Sequence, residues 1–337
     1  MAEMDSPVLV FWEMTKACPL ACRHCRAVAQ PQRHPQELTS GEGRDLIDQV
    51  KAMGTPLLIL TGGDPMARPD LLELIAYGVG RGLRVSLAPS ATSRLSDDFL
   101  EEAKDAGVGR LSLSLDGSSP QVHDGFRGVD GSFQQSLKAM GRVKQAGLPF
   151  QINTTVTSHN IHDLLGLAAF VAGSGAALWD LFFLVPTGRA QKDDGISPQE
   201  HEEVYLWLYR LSREAPFEVK TTAAEAYRRV VLQQGGNNRA WVNDGRGCLF
   251  VSHIGEVNPS GFLPLPTGNV RESPLAQLYQ DSPIFRDLRD PDRLKGKCGV
   301  CKYRTTCGGS RARAYALTGD YLEADPSCIY QPEGWGS

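Results

Sequence analysis

Short apolar runs alternate with amphipathic stretches from residue 8 to about residue 185. The apolar runs are rich in Val, Ile, Leu or aromatic residues and are bounded by Gly, Pro or Ser, as is typical of buried strands. They lie at residues 8–13, 56–60, 84–88, 110–115, 150–156 and 178–184. The stretches between them have helical spacing. Several of these end in a glycine that predicts a left-handed helix cap, namely Gly54, Gly82, Gly107 and Gly147.

This repeated alternation of strand and helix predicts an α/β fold with parallel strands. Two architectures agree with it: a partial (β/α)6 barrel of the TIM type and an open, doubly wound sheet. The period of the pattern is the same in both, so periodicity alone does not separate them.

The pattern changes after Pro186. Residues 197–214 predict one long helix, which a polar stretch rich in Gly and Asn follows at residues 233–247. From Cys248 onward the chain is rich in loop residues, with short strands expected at residues 249–253 and 256–259. Such a segment buries little apolar surface of its own, so a bound metal cluster is a source of the missing stability. We therefore expect three parts: a barrel at 1–190, a helical connector at 191–247 and a small, loop-rich metal-binding domain at 248–337.

Charge and composition narrow the choice of partners. The net charge is −4, with neither a basic patch for nucleic acid nor a polybasic segment for a membrane surface. The N-terminal residues lack the basic start and apolar run of a signal peptide, and no stretch reaches the apolar length of a spanning helix. We expect a soluble, cytoplasmic protein that binds neither nucleic acid nor membrane.

The cysteines are unevenly placed. Three of the eight lie within residues 18–25, four lie within residues 298–328, and Cys248 stands alone. Disulfides are rare in the cytoplasm, so clustered cysteines indicate metal binding or catalysis there.

The first cluster of cysteines directly follows the first predicted strand, as Cys18-x3-Cys22-x2-Cys25. Three thiolates on one loop can converge on an iron–sulfur cluster and leave one iron without a protein ligand, which is the mark of a reactive metal site. The same residues are compatible with zinc, with His24 as a fourth ligand, or with three buried thiols. Because ligand-binding residues gather at the carboxyl ends of barrel strands, the position favours a functional site.

This motif resembles the signature of the radical S-adenosylmethionine (SAM) superfamily. The resemblance implies a partial barrel in which Cys18, Cys22 and Cys25 hold a catalytic [4Fe–4S] cluster whose open iron chelates SAM. Reductive cleavage of SAM then gives a 5′-deoxyadenosyl radical that takes a hydrogen atom from the substrate. The residue before the last cysteine typically packs against adenine, a role that His24 would inherit.

Other strand ends agree with this resemblance. Gly62, Gly63, Asp64 and Pro65 resemble the glycine-rich motif for the methionyl amino group of SAM, although alone they indicate only a turn after a strand.

After the fourth strand, Ser114 and Asp116 occupy positions that face the SAM ribose in the family. Arg127 is a candidate for the SAM carboxylate, since a guanidinium matches that group in two-point geometry; its alternative is a surface ion pair. Val185 begins a turn that lies near adenine in the family.

The second cluster of cysteines supplies four thiolates, from Cys298, Cys301, Cys307 and Cys328. Iron–sulfur and structural zinc sites both use such spacing. Together with the first motif, it resembles the SPASM/Twitch extension of radical SAM enzymes, which implies an auxiliary [4Fe–4S] cluster in a small C-terminal iron–sulfur domain.

The sequence departs from the full extension, which carries two auxiliary clusters. Ser260 and Thr267 lie where partners of Cys248 are expected, and Ser310 stands where relatives often have a cysteine. We therefore expect one auxiliary cluster, and Cys248 as an ordinary buried thiol.

Segments at residues 152–157, 184–189, 268–271 and 307–315 resemble the heme-forming enzymes of the siroheme-dependent route, the heme b synthase group. This implies oxidative decarboxylation of porphyrin propionates, with iron-coproporphyrin III as substrate. Four arginines offer guanidinium partners for such an acidic porphyrin or form a solvated basic face: Arg228, Arg229, Arg311 and Arg313.

Two other functions remain open from the sequence. One is a radical SAM maturase that modifies a ribosomally made peptide, since similar tails are frequent there. The other is a non-enzymatic iron–sulfur carrier or sensor, which has no use for the SAM motifs. A heme synthase and a peptide maturase would both need an electron donor such as flavodoxin or ferredoxin.

Overall fold

A computed structural model describes residues 6–237 and 242–335. The start of the chain, residues 238–241 of the predicted polar stretch and the last two residues lie outside this range. The described residues contain one ten-stranded sheet. Its strands are β1 (Leu9–Glu13), β2 (Leu57–Thr61), β3 (Arg84–Leu87), β4 (Arg110–Ser114), β5 (Phe150–Val156), β6 (Leu178–Phe183), β7 (Glu218–Thr222), β8 (Cys248–Val251), β9 (Glu256–Asn258) and β10 (Gly268–Asn269).

The order of the strands decides between the two predicted architectures. Along the sheet it runs β10-β9-β8-β1-β2-β3-β4-β5-β6-β7, and the strands from β8 through β1 to β7 pair in parallel. A doubly wound sheet reverses direction at a switch point, whereas β1 to β7 here advance steadily to one side. With right-handed crossovers, steady advance puts every connecting helix on one face, and the sheet curls into a partial barrel. The predicted partial TIM-like barrel is confirmed.

The helices surround this sheet. They are α1 (Ser40–Ala52), α2 (Leu71–Gly80), α3 (Asp97–Asp105), α4 (Pro120–Arg127), α5 (Ser132–Gln145), α6 (Leu164–Ser174), α7 (Pro198–Glu214), α8 (Ala226–Gln233), α9 (Leu275–Asp281), α10 (Pro283–Arg289), α11 (Gly296–Gly299) and α12 (Arg311–Thr318). The long helix predicted at 197–214 is α7, which Ser197 and Glu200 begin with a capping box. The four predicted glycine caps all have left-handed φ values, between 70° and 89°. No helix in the described ranges is long and apolar enough to cross a membrane.

Two strands extend the barrel beyond the predicted six. The strand β7 lies within the predicted helical connector and pairs with β6. Its sequence, Glu-Val-Lys-Thr-Thr, is too polar for the apolar pattern to reveal, which suits an edge strand. The strand β8 begins the predicted third part, and pairs with the outer edge of β1 so that Leu9 lies opposite Cys248. The sheet is therefore continuous across residues 190 and 247, and the three-part division stays a prediction.

Alternation along the strands separates the core from the inside of the barrel. In β2 and β4, buried residues alternate with half-buried ones. The buried ones, such as Leu58 and Leu113, join one large core cluster with residues of the helices. The half-buried ones point the other way because successive side chains of a strand face opposite sides. The inner face therefore carries the side chains that remain available to ligands.

A buried arginine attaches the C-terminal segment to the barrel. Arg313 of α12 is 3% exposed and donates hydrogen bonds to the carbonyls of Phe183, Leu184 and Ala223, at the ends of β6 and β7. Its guanidinium also pairs with Asp325 at 3.3 Å.

The interpretation of the four arginines as a solvated basic face is wrong. Arg229, Arg311 and Arg313 are all at most 3% exposed. Arg229 pairs with Glu202, Arg311 donates to the carbonyls of Tyr321 and Glu323, and Arg228 donates to the carbonyls of Val242 and Thr306. Their guanidinium groups are used within the protein, so they do not present a surface to an acidic substrate.

We predict that Arg313→Met lowers the free energy of unfolding by about 3–5 kcal/mol, because it leaves Asp325 buried without its cation. Urea denaturation followed by circular dichroism measures the change. Arg293→Ala is the matched control, since that guanidinium is 58% exposed in a surface pair with Asp287 and should contribute about 0.5 kcal/mol or less. Equal effects of the two substitutions would contradict a special role for Arg313.

Candidate active site

The three N-terminal cysteines lie on a closed loop that follows β1. The loop is closed where Ala17 forms a parallel bridge with Gln30. The amide of Cys18 donates to the carbonyl of Gln30 at 2.8 Å, and the amide of Gln30 donates to the carbonyl of Lys16 at 2.9 Å. Cys22 and Cys25 lie between these pinned ends, at the carboxyl edge of the barrel.

Two glycines after β2 allow this loop to approach the barrel backbone. A Cβ atom on Gly62 would lie 2.5 Å from the carbonyl oxygen of Thr15, and one on Gly63 would lie 2.6 Å from those of Lys16 and Ala17. Real side chains do not fit at such distances. These predicted SAM-contact residues therefore have at least a structural role, in line with the alternative that they form a turn.

Asp64 and Pro65 continue this turn, and both are buried. The Asp64 carboxylate accepts hydrogen bonds from the Ser90 amide at 3.3 Å and the Thr92 hydroxyl at 3.2 Å. The Ser90 hydroxyl in turn lies 3.5 Å from the sulfur of Cys18. The Asp64 carboxylate thus fixes the group that contacts the first cysteine.

The turn after β6 holds the opposite side of the loop. A Cβ atom on Gly188, whose φ is +66°, would lie 2.4 Å from the carbonyl oxygen of Arg26. The Arg189 side chain donates to the carbonyls of Cys22 at 2.9 Å and Ala29 at 3.3 Å. The role of Arg189 was not predicted, and its position directly after a strand-end glycine was the available signal.

Backbone amides point at the cysteine sulfurs. The amide of Leu20 donates to the sulfur of Cys18 at 3.4 Å, and that of Ala29 donates to the sulfur of Cys25 at 3.5 Å. Val28, just before Ala29, has a φ of +50°, a conformation that is strained for a β-branched residue and typical of functional sites. Thiolates that accept amide hydrogen bonds suit an iron–sulfur cluster, whose potential such bonds tune. This donor set fits the cluster that the motif predicts.

Within the described residues, no three His, Cys, Asp or Glu side chains are drawn together around a single metal ion. The fit of the loop to a cluster therefore rests on the kind of donor and on the arrangement of the loop.

Asp116 and Arg127 form a buried ion pair beside the loop. Arg127 Nε donates to Asp116 Oδ2 at 2.8 Å, and the side chains are 11% and 1% exposed. Burial alone would raise the pKa of the Asp116 carboxyl, but the Arg127 guanidinium is among the charges that outweigh it and hold that pKa below its usual range. The alternative of a surface ion pair for Arg127 is wrong, because the pair is buried. A contact between Arg127 and SAM stays a prediction.

The His24 ring is held in a stack. It lies parallel to Phe126, with ring centres 4.3 Å apart, and Phe126 in turn stacks on His159 at 5.8 Å. Burial lowers the pKa of His24 to about 4, so the ring is neutral near pH 7. A pocket of about 540 Å³ lies beside this stack, lined by residues that include Arg23 and Gly188. The predicted packing of His24 against adenine stays a prediction, with one ring face already covered by Phe126.

The two remaining predicted contacts differ in position. Ser114 ends β4, is half-buried and lies opposite Asn153 of β5 on the inner face. Val185 is 2% exposed and packs in a small apolar cluster with Leu263 and Ala312 of the C-terminal segment. Ser114 is therefore oriented toward the inside of the barrel, whereas the side chain of Val185 is occupied by packing.

Sequence reasoning missed a charged cluster at the end of β1. Glu13 is 1% exposed; it accepts from Arg26 at 2.9 Å and lies 3.1 Å from Nδ1 of His253. Burial would raise the pKa of Glu13, but Arg26 and His253 hold it below its usual range. The guanidinium of Arg26 lies 4.7 Å from the centre of the Phe250 ring. A glutamate closing an apolar strand was the signal that could have indicated this cluster.

The four C-terminal cysteines line one pocket together with Arg229, Tyr303 and Tyr330. The amide of Tyr303 donates to the sulfur of Cys301, and that of Gly309 donates to the sulfur of Cys307, each at 3.4 Å. These contacts repeat those of the N-terminal loop and fit a second cluster.

The residues that depart from the two-cluster pattern have other roles. Ser310 accepts from the amide of Arg313 and begins α12. Cys248 is a buried thiol, 4% exposed, that donates to the carbonyl of Asn243 at 3.1 Å. It is not among the residues that line the four-cysteine pocket.

Known proteins share both the sequence and the fold. Residues 12–171 match the Radical SAM superfamily. An AdoMet-dependent heme synthase of Methanosarcina barkeri is 41% identical over 98% of this chain and 99% of its own length. Another, from Nitratidesulfovibrio vulgaris, is 42% identical over 96% and 92%. A mycofactocin maturase of Mycobacterium ulcerans is 28% identical over 99% and 90%. The structure of Streptococcus suis SuiB bound to S-adenosylmethionine has a TM-score of 0.74 at 16% identity, covering 97% of this chain and 78% of that one.

The partial barrel and the three-cysteine loop at its carboxyl edge define a radical SAM enzyme. Enzymes of this class carry a [4Fe–4S] cluster and use SAM. The chain belongs to this class, so the alternative of a non-enzymatic carrier or sensor is not supported. Within the superfamily, the chain belongs to the family of the AdoMet-dependent heme synthases, two of which it matches at more than 40% identity over nearly their full length.

We predict that Gly188→Ala lowers the iron content of anaerobically reconstituted protein by about four atoms per chain, the content of one cubane. The added methyl group would collide with the carbonyl oxygens of Cys25 and Arg26 and displace the loop. A colorimetric iron assay measures the loss. Gly173→Ala is the control, because a Cβ atom there meets nothing within 4 Å. Full iron content in Gly188→Ala would mean that the loop tolerates displacement.

Proposed function

We propose that this enzyme converts two propionate side chains of iron-coproporphyrin III to vinyl groups, and so completes a heme. The main support is the identity of 41–42% to AdoMet-dependent heme synthases, which extends over the barrel and over the C-terminal cysteines alike. In this reaction each propionate loses one hydrogen atom, one electron and carbon dioxide.

Cys18, Cys22 and Cys25 would hold the cluster that binds SAM. When bound, cluster and SAM together supply the 5′-deoxyadenosyl radical that removes the hydrogen atom. The chain's own part is to position these groups and exclude water from them. Gly62, Gly63 and Gly188 let the backbone close on the loop, and the buried pair of Asp116 and Arg127 keeps its charges paired beside it.

The electron released from the substrate needs an acceptor within the protein. We propose an auxiliary [4Fe–4S] cluster held by Cys298, Cys301, Cys307 and Cys328, because these four thiols line one pocket. Reduction of the first cluster needs an external donor of the flavodoxin or ferredoxin type. A cytoplasmic location suits this chemistry, and all eight cysteines, which lie within the described ranges, are free thiols.

Modification of a ribosomally made peptide is the second candidate function. The mycofactocin maturase supports it, at 28% identity over 99% of this chain. The fold of SuiB is compatible with either substrate, since likeness at 16% identity concerns the fold alone. The heme synthases are the more similar relatives, so the porphyrin is the substrate to test first.

We predict that anaerobically reconstituted protein contains about eight irons per chain, the content of two cubanes, and that Cys307→Ala retains about four. Inductively coupled plasma mass spectrometry measures iron and zinc together. Cys248→Ala is the matched control and should retain the full iron content, because this thiol lies outside the pocket. About four irons with one zinc in the wild-type protein would contradict the auxiliary cluster.

We predict that incubation with SAM, a strong reductant and iron-coproporphyrin III removes two carboxyl groups from the porphyrin. Mass spectrometry detects the loss. Cys22→Ser should abolish both this product and 5′-deoxyadenosine, whereas Cys248→Ser should retain at least about half of the wild-type rate. Formation of 5′-deoxyadenosine beside an unchanged porphyrin would leave a radical SAM enzyme with a different substrate.

A further inference from the structure

A turn at residues 260–263 of the C-terminal region contacts both the cysteine loop and β6. The hydroxyl of Ser260 accepts hydrogen bonds from the backbone amides of Phe262 and Leu263, each at 3.2 Å, and these bonds close a tight turn. The carbonyl of Gly261 accepts a hydrogen bond from Arg26 of the cysteine loop at 3.4 Å. A Cβ atom on Gly261 would lie 3.1 Å from the Arg26 side chain, so the turn packs directly against the cysteine loop.

The same segment reaches the inner face of the barrel. The ring of Phe262 lies 6.3 Å from that of Phe182, the penultimate residue of β6, and both rings are half-buried. The neighbours of Phe182 along the strand, Leu181 and Phe183, belong to the core under the helices. Because side chains alternate along a strand, Phe182 therefore points into the barrel.

A cation holds the turn on the side of the cysteine loop. The guanidinium of Arg26, 21% exposed, rests on the ring of Phe250 at 4.7 Å and pairs with Glu13. One line of contacts thus leads from Arg26 through Gly261 and Phe262 to Phe182, from the cysteine loop to β6. Two half-buried aromatic rings on the inner face of the barrel suit a flat, apolar ligand.

We propose that Phe182 and Phe262, whose rings are tilted by 55° to one another, form the wall of the site for the planar ring of the substrate, which stacks on one of them and meets the edge of the other. Arg26 holds the turn that carries Phe262 in place through the carbonyl of Gly261. This inference rests on the proposed function and deepens it, since it assigns substrate recognition to the turn at residues 260–263. The competing interpretation is that Phe262 only packs against its apolar neighbours, among them Val185. A packing residue tolerates leucine as well as tyrosine, whereas a stacking residue requires a ring.

The test is equilibrium binding without turnover. Iron-coproporphyrin III is titrated into reconstituted protein without SAM or reductant, and the change in the porphyrin absorption band gives the dissociation constant. We expect Phe262→Leu and Phe182→Leu each to weaken binding about tenfold, and Phe262→Tyr to bind within about threefold of the wild type. Phe99→Leu is the matched control, because Phe99 lies on α3 at the edge of the helical core. Thermal unfolding of each variant checks folding, and Phe182→Leu keeps the test valid if Phe262→Leu does not fold.

A second ligand tests planarity. Coproporphyrinogen III carries the same propionates on a ring that is not flat, so its affinity should change less than about threefold in Phe262→Leu. If the wild type binds iron-coproporphyrin III and both leucine variants bind it equally well, the wall is wrong and the proposed function stands. If the wild type does not bind this porphyrin at all, both the proposed function and the proposed role of Phe182 and Phe262 are wrong.

Discussion

Direct contact between backbone segments is the constraint on which the rest of the site depends. The cysteine loop is held from two sides by strand-end turns that approach its carbonyl groups more closely than any side chain allows, at Gly62 and Gly63 on one side and Gly188 on the other. Three thiols converge on one cluster only if their loop has one shape. Here that shape requires glycine at three positions, and hydrogen bonds from Arg189 to the loop carbonyls add to it.

Buried ion pairs join segments that the glycine contacts do not join. Glu13 and Arg26 join β1 to the cysteine loop, and Arg313 and Asp325 hold α12 to the segment that bears the last cysteine. Apolar residues of the same size often stabilise a fold as well or better than such pairs do. The pairs have directional hydrogen bonds, however, and so favour one relative position of the joined segments. In a protein with two cysteine sites, a defined distance between the sites is a property that such geometry can preserve.

The elements that could be predicted from the sequence are those whose pattern lies within the element itself. The six strands, the glycine caps and the cysteine loop follow from apolar periods and from spacing within a few residues. The strand β7 was not predicted, because an edge strand can be polar. From the sequence, only the resemblance to the radical SAM superfamily distinguishes a partial barrel from a doubly wound sheet. The contact of Glu13 with His253 spans 240 residues, and no local pattern encodes it. The prediction of a solvated face at Arg311 and Arg313 is wrong for a similar reason. Their hydrogen-bond partners lie in other elements, so the sequence shows two basic residues but not that both are buried.

The pairing of β1 with β8 has a consequence for biosynthesis. While the ribosome makes the barrel, the first strand can pair with β2, but its other edge has no partner until Cys248–Val251 emerges. Contacts between distant parts of a chain form slowly, and an open strand edge is a template for aggregation. The cysteine loop that follows this strand is held first by the turn after β2 and only later by the turn at Gly188. The barrel therefore keeps one strand edge open to aggregation until the C-terminal region has been made.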